Sequence, residues 1–294
     1  MQNIYSLIFS FSQDGYVYRQ VCSEFREMIP PISRLAYLDI LCKEDRQPVD
    51  LKATRSLIRA AIKFGHVNLL QWCSLRRKIS ENVCLLAIEN GHTNILRWGR
   101  ERGYAWPQYA LSMIGEDQLD LLQCMKELHY PFNSWHFSLA AAKGRIKVMQ
   151  WLREQGYDWD EDCCSAAAEG GHLQALQWLR EQGCPWDENT CSRAAEGGYL
   201  EMLQWAVEKG CPYHVGVCFG AARDARLEVL RWAREKEFPW NEEVCFAAVC
   251  SGHLDILKWL RANGCPWDRR SIVSARQPGR EHILQWMEKH GHPE

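Results

Sequence analysis

Residues 159–186 read W-D-E-D-C-C-S-A-A-A-E-G-G-H-L-Q-A-L-Q-W-L-R-E-Q-G-C-P-W, and Asp187 and Glu188 then start the same phrase again. At this spacing Trp72, Trp98, Trp151, Trp178, Trp205, Trp232, Trp259 and Trp286 fall in one register, in steps of 26 or 27 residues, with Cys124 standing where a further Trp is due. Such a period marks stacked supersecondary units, each too small to bury its own apolar face and each covered by its neighbours.

Within the phrase, the residue after the loop aromatic is Asp160, Asp187, Asn241, Asp268, Asn133 or Ser80, the types whose side chains cap a helix N-terminus. Glu81, Glu161, Glu188 and Glu242 follow in the first turn, where the helix dipole favours acids. The first helix of a unit carries a small apolar face, as in Cys191, Ala194 and Ala195, and ends in a turn such as Gly170-Gly171-His172. The second helix, H-L-Q-A-L-Q-W-L-R-E-Q, is apolar around much of its girth, with Leu173, Leu176 and Leu179 on one side and Ala175 and Trp178 on another, so it must lie between two neighbours. Gly156, Gly183, Gly210 and Gly264 then supply a left-handed cap, and Pro185, Pro212, Pro239 and Pro266 prevent continuation. Units open near Ala53, Ile79, Trp106, Phe132, Trp159, Trp186, Tyr213, Trp240 and Trp267, which makes nine. The expected architecture is an all-α helical solenoid of about nine helix-turn-helix repeats over residues 49–294, preceded by an N-terminal segment at 1–48.

With 35 basic and 37 acidic residues the chain is near neutral, so no nucleic-acid binding is expected, which would require a basic face. No stretch is long enough to span a bilayer, and the apolar run from Ile4 to Phe11 lacks the basic leader and cleavage site of a signal peptide. Of the fourteen cysteines, Cys84, Cys164, Cys191, Cys218 and Cys245 share one repeat position and Cys184, Cys211 and Cys265 another. Equivalent positions in stacked helices lie roughly 10 Å apart, beyond the reach of about 7 Å for a disulfide, and there is no CxxC pair to announce a metal site. These cysteines read as small buried apolar residues in a reducing, intracellular and cytoplasmic setting.

All fourteen tryptophans have a place: eight on second helices, five in loops, and Trp135 alone outside the pattern. His66, His92, His172 and His253 are turn residues of the repeat, and the remaining histidines are scattered. No phosphate loop and no nucleophile, histidine and acid set departs from the periodic pattern, so neither catalysis nor a cofactor or metal is expected. Arg100-Glu101, Arg153-Glu154, Arg180-Glu181 and Arg234-Glu235 form a mixed-charge ladder on the second helices, expected to act only in solubility.

The order helix, A-A-x-x-G-H-L, helix, Gly, short loop resembles the ankyrin repeat, most closely at Ala87-Ile88-Glu89-Asn90-Gly91-His92 and again at Gly252-His253-Leu254. These units are about six residues shorter than the usual ankyrin repeat; Cys replaces Leu in the T-P-L-H segment, and almost nothing remains of the projecting hairpin. They are similar to the short, Trp-rich ankyrin arrays of algae, protists and giant DNA viruses. The resemblance spans about five-sixths of the chain.

In residues 1–48, I-Y-S-L-I-F-S-F followed by Y-x-Y-R-Q-V-C-S-E-F-R suggests helices around Ile4 to Phe11 and Tyr18 to Phe25, with another from Ser33 to about Cys42. The first two resemble the later part of an F-box, although the Leu-Pro that opens one is absent. The segment is either a cap for the first repeat or an F-box-like arm, which would imply a Skp-type adaptor and a substrate-receptor role in a cullin ubiquitin ligase.

The ankyrin resemblance implies a scaffold, here expected to be a monomer, that binds a protein partner through its loops and the exposed end of each first helix. Those positions hold Glu161, Glu169, Glu188, Glu196, Arg223, Asp224 and Glu242, a mostly acidic set that suits a partner with a basic face. Helix caps and solvated charge account for the loop acids equally well. Phe219 and Phe246 occupy the first-helix position held elsewhere by Ser138, Ser165 and Ser192, so they form either an exposed hot spot or a space filler beside Gly220 and Ala247.

Overall fold

The computed structural model describes residues 33–45, 51–79 and 82–291. The expected helices within residues 4–25, with the F-box-like arm they would compose, and the Ser80 and Glu81 cap lie outside the described residues. Among the described residues there are nineteen helices and no strand. They fall into two compact units, one of residues up to Ile114 with Asp120–Tyr130, the other of Gly115–Leu119 and Pro131 onward.

The first unit contains α1 (Arg34–Lys43), α2 (Arg55–Lys63), α3 (Val67–Arg76), α4 (Val83–Glu89), α5 (Thr93–Glu101), α6 (Ala110–Met113) and most of α7 (Leu119–Glu127). As expected, Ser33 caps α1, its hydroxyl accepting the Ala36 N–H at 3.1 Å. Helix α1 packs on α3 and orders it: Asp39 accepts the Leu69 N–H at 2.8 Å and the Asn68 side-chain amide at 3.0 Å, capping the N-terminus of α3. Helix α6 is a single turn, where the A-A-x-x-G-H phrase is replaced by I-G-E-D-Q-L.

The second unit contains six helix pairs: α8 (Ser134–Ala142) with α9 (Ile146–Glu154), α10 (Asp162–Glu169) with α11 (Leu173–Glu181), α12 (Glu188–Gly197) with α13 (Leu200–Glu208), α14 (Gly216–Arg223) with α15 (Leu227–Glu235), α16 (Glu242–Cys250) with α17 (Leu254–Ala262), and α18 (Arg269–Ala275) with α19 (Glu281–Lys289). With the three pairs from α2 to α7, this makes the nine expected. The first helices pack side by side in chain order, each also against its own second helix. Small residues permit this: Cys164, Ala167, Ala168, Cys191, Ala194 and Ala195 are completely buried. A Cβ on Gly170 would lie 2.4 Å from the Ala142 carbonyl oxygen, which measures how closely α10 approaches α8.

The turn between the two helices of a pair is also a tie between pairs. His253 Nε2 donates to the Arg223 carbonyl at 3.0 Å, Arg226 Nε to the Glu196 carbonyl at 2.9 Å, and Arg280 to the Cys250 carbonyl. In the first unit His92 Nε2 reaches the Lys63 carbonyl at 2.8 Å in the same way. Each side chain satisfies a C-terminal carbonyl left open by the preceding first helix, a job that His and Arg both perform. Asp187, Asn241 and Asp268 cap α12, α16 and α18 as expected. Asp160 does not cap α10: that helix starts later, with Glu161 at the cap in a helical conformation and no side-chain bond, because Asp160 is turned towards the Cys163 thiol.

The arginine ladder is not a solubility device. The guanidinium of Arg153 lies 4.0 Å from the ring centre of Trp159, Arg180 4.2 Å from Trp186, Arg234 4.5 Å from Trp240, and Arg100 4.6 Å from Trp106. Arg180 and Arg100 also donate to the carbonyls of Cys184 and Tyr104, closing their helix C-termini. The loop indole also meets the second-helix Trp of its own unit in a T-shaped contact, as in Trp159 with Trp178 at 6.1 Å and Trp186 with Trp205 at 5.9 Å. The arginine of one unit therefore clamps the loop of the next. Where the loop residue is Tyr213, the arginine position holds Val207 and the Cys position holds Phe238, whose ring stacks on Tyr213 at 3.9 Å.

The cysteines of the described residues are free. Cys184, Cys211 and Cys265 donate their thiols to the carbonyls of Asp160, Asp187 and Asn241, at 3.4, 3.4 and 3.5 Å. The two cysteine ladders also touch within a unit: the Cys211 thiol, ahead of burial, raises the pKa of Cys191, and Cys265 does the same to Cys245. Spacing along a single ladder could not reveal that contact.

Candidate partner-binding face

Residues three, four and seven apart on a helix share a face. On the first helices of the second unit, one such face turns away from the second helices. Its central register runs Ser138, Ser165, Ser192, Phe219, Phe246 and Val273, each 27 residues after the last. Beneath it α10, α12, α14 and α16 keep a Cys-and-Ala face, with Phe137 and Ile272 in the Cys place on α8 and α18; along it the side chain changes from hydroxyl, buried at Ser192, to aromatic to aliphatic. Phe219 and Phe246 are half-buried. The guanidinium of Arg270 lies 5.5 Å from the Phe246 ring centre and is itself held by Asp268 and Glu243. Val273 is 51% exposed. It completes the register and was not singled out from sequence, although counting 27 residues on from Phe246 reaches it.

The remaining expected site residues divide by place. Glu169, Glu196 and Arg223 lie on this face, with Asp224 just after it as the C-cap of α14. Glu161, Glu188 and Glu242 stand four residues before Ser165, Ser192 and Phe246, at the N-terminal ends of α10, α12 and α16 along the same face. Glu196 is bridged by Arg193 at 3.1 Å and Arg223 at 3.2 Å, and Arg223 also holds Asp224 at 2.9 Å. The hydrogen bond it donates to Asp224, with the charge of Glu196 behind it, raises the pKa of Arg223. This network balances its own charge, so the middle of the face is not acidic. Uncompensated carboxylates remain nearer α8, where a cavity of about 330 Å³ is lined by Trp135, Ser138, Asp162, Ser165, Glu169 and Arg193 among others.

From α8 to α18 the face thus passes from acidic and hydroxylated, through a neutral ion network, to Phe246 and Val273 with the exposed Arg269, Arg270 and Arg276 around them. Among the described residues no cluster of three or more potential metal ligands occurs, and no helix is long and apolar enough to cross a membrane. No family model and no curated protein matches the chain. Among solved structures, the human ASB11 ankyrin repeat domain is similar, with a TM-score of 0.44 and 16% sequence identity over 53% of this chain and 83% of that one.

Proposed function

We propose that the chain is an ankyrin-type repeat scaffold, without catalysis, that binds a protein partner across the open first-helix face of its second unit. The observation that carries this reading is the run of incompletely buried apolar side chains at Phe219, Phe246 and Val273, in a register where the three preceding units hold serine. The serines show that the fold does not require an apolar residue there, and such residues suit a partner. Phe219 and Phe246 are its apolar anchors, of the kind that dominates interface energetics. Phe219→Ser combined with Phe246→Ser installs the residue that three sister units already carry. The double variant should keep its melting temperature within a few degrees, on the order of a surface substitution, and lose the partners that the parent chain captures from its source cells. Retained capture by a folded double variant would remove the assignment.

A second reading rests on the sequence of residues 4–25, which resembles the later part of an F-box. Under it the repeats hold a substrate while the N-terminal arm recruits a Skp-type adaptor and a cullin. Affinity purification of the full chain, alongside a chain lacking residues 1–32 but keeping α1, separates the two. Adaptor and cullin recovered only with the full chain would establish the second reading; their absence from both would remove it.

A further inference from the structure

Trp135 is the single tryptophan outside the repeat register. The others are consumed by the loop clamps and second-helix cores, whereas Trp135, at the start of α8, leaves 46% of its surface exposed on the open face. It packs edge-on to His136 at 5.2 Å and forms one wall of the cavity that α8 shares with α10. Across that cavity stand the carboxylates of Asp162 and Glu169, with the hydroxyls of Ser138 and Ser165 between. The one cation in the lining, Arg193, is tied to Glu196 at 3.1 Å. An indole face and two carboxylates attract a cation, the first through its quadrupole and the second through charge. They repel a phosphate or a carboxylate. The cavity is wide open and near the lower limit of pockets that enclose a small molecule, which run from about 300 Å³ upward, so it suits one side chain of a larger partner.

Building on the open face as the interaction surface, we infer that this cavity takes an arginine or lysine side chain from an extended segment of the partner protein, its stem on Trp135 and its charged head towards Asp162 and Glu169. The rest of the face fixes what accompanies it. Neighbouring helices lie roughly 8–10 Å apart and an extended chain advances about 3.3 Å per residue. From α10 to Phe219 on α14 is thus about six residues, and to Phe246 on α16 about nine. The segment carries its basic residue and an apolar residue at that separation.

The test uses the full chain labelled with 5-fluorotryptophan, with the Trp135 resonance identified by its loss in Trp135→Phe. Titration with Nα-acetylarginine amide should shift that resonance saturably, and the uncharged citrulline analogue should not. Glu169→Gln and Asp162→Asn, both exposed changes, should each raise the dissociation constant about two- to fivefold, as expected for losing one exposed contact to a cation. A resonance that does not move, or that moves equally with the citrulline analogue, overturns the inference. So does a partner whose capture is abolished by Phe219→Ser with Phe246→Ser yet unaffected by Glu169→Gln; in that case the interaction face stands and only the basic residue is wrong.

Discussion

Replacing Ala225 and Glu237 by glycine should stabilise the protein. In every pair of the second unit, the turn inside the pair and the loop after it both hold a residue in the left-handed region, as at Gly198 and Gly210. At the equivalent points around α15 the chain instead holds Ala225, with φ +57°, and Glu237, with φ +55°. Both side chains are exposed, and no hydrogen bond or ion pair offsets the strain. An L-residue in this region costs roughly 1–2 kcal/mol, and the greater freedom of glycine in the unfolded chain returns about 0.5–1 kcal/mol of that. The net gain is about 0.5–1 kcal/mol at each site. The two sites flank a helix of nine residues, about 13 Å long, so their effects should add. The double variant should therefore gain about 1–2 kcal/mol, or a rise of about 2–8 °C in melting temperature, read by far-ultraviolet circular dichroism and by urea unfolding. Gly210→Ala, with φ +80° at the wild-type glycine, makes the opposite change and should cost about 1 kcal/mol. A double variant no more stable than its parent, together with a neutral Gly210→Ala, would refute the idea that one backbone geometry governs every pair of the second unit.

Three further outcomes follow from the same packing. Arg180→Met removes a guanidinium that stacks on Trp186 and closes α11, and should lower stability by about 1–2 kcal/mol; Arg231→Met, on an exposed arginine paired only with Glu228 at 3.8 Å, should change it by less than about 0.5 kcal/mol. Equal losses in the two would mean that the clamp is inert. Burial lowers the pKa of His136, whose Nδ1 accepts the Asn133 N–H at 3.0 Å. The unfolded chain therefore binds that proton more readily, and the stability due to the neutral ring is complete above the unfolded pKa of about 6.5 and lost as pH falls below it. His136→Gln, which can complete the same capping box, should flatten melting temperature between about pH 7.5 and pH 5.5 relative to the parent. Alkylation of the native protein followed by peptide mapping should mark the half-exposed Cys250 before Cys84 or Cys218, whose thiols burial pushes up to about 11 and about 12; early modification of the buried pair would contradict the packing.

The repeat was legible in the sequence because its determinants are local. A polar cap, two alanines, a glycine turn and a glycine-proline exit each act within one unit, and the nine helix pairs follow from counting them. The arginine clamp was harder to read. Helical spacing shows only that Arg180 is on a polar side of α11; its partner, Trp186, belongs to the loop of the next unit, and the recurring interval from arginine to tryptophan becomes meaningful only once the chain turns back. The ion pairing of Glu196 was illegible for a similar reason, since its second cation, Arg223, lies one repeat downstream on α14. The burial of Phe219 and Phe246 depends on how closely first helices approach, which no single unit encodes. Trp135 was visible as an outlier, yet only the neighbouring α10 shows that it looks onto carboxylates.

The most direct measurement places the photo-cross-linking amino acid p-benzoylphenylalanine at single positions of the full chain in its source cells. Ser138 and Ser165 lie part-exposed in the central register of the open face, whereas Gln174 on α11 and Glu201 on α13 are exposed on second helices. If the open face holds the partner, irradiation gives the same discrete adduct from Ser138 and Ser165 and none from Gln174 or Glu201. Adducts from the second helices alone, or equally from all four positions, would contradict the assignment.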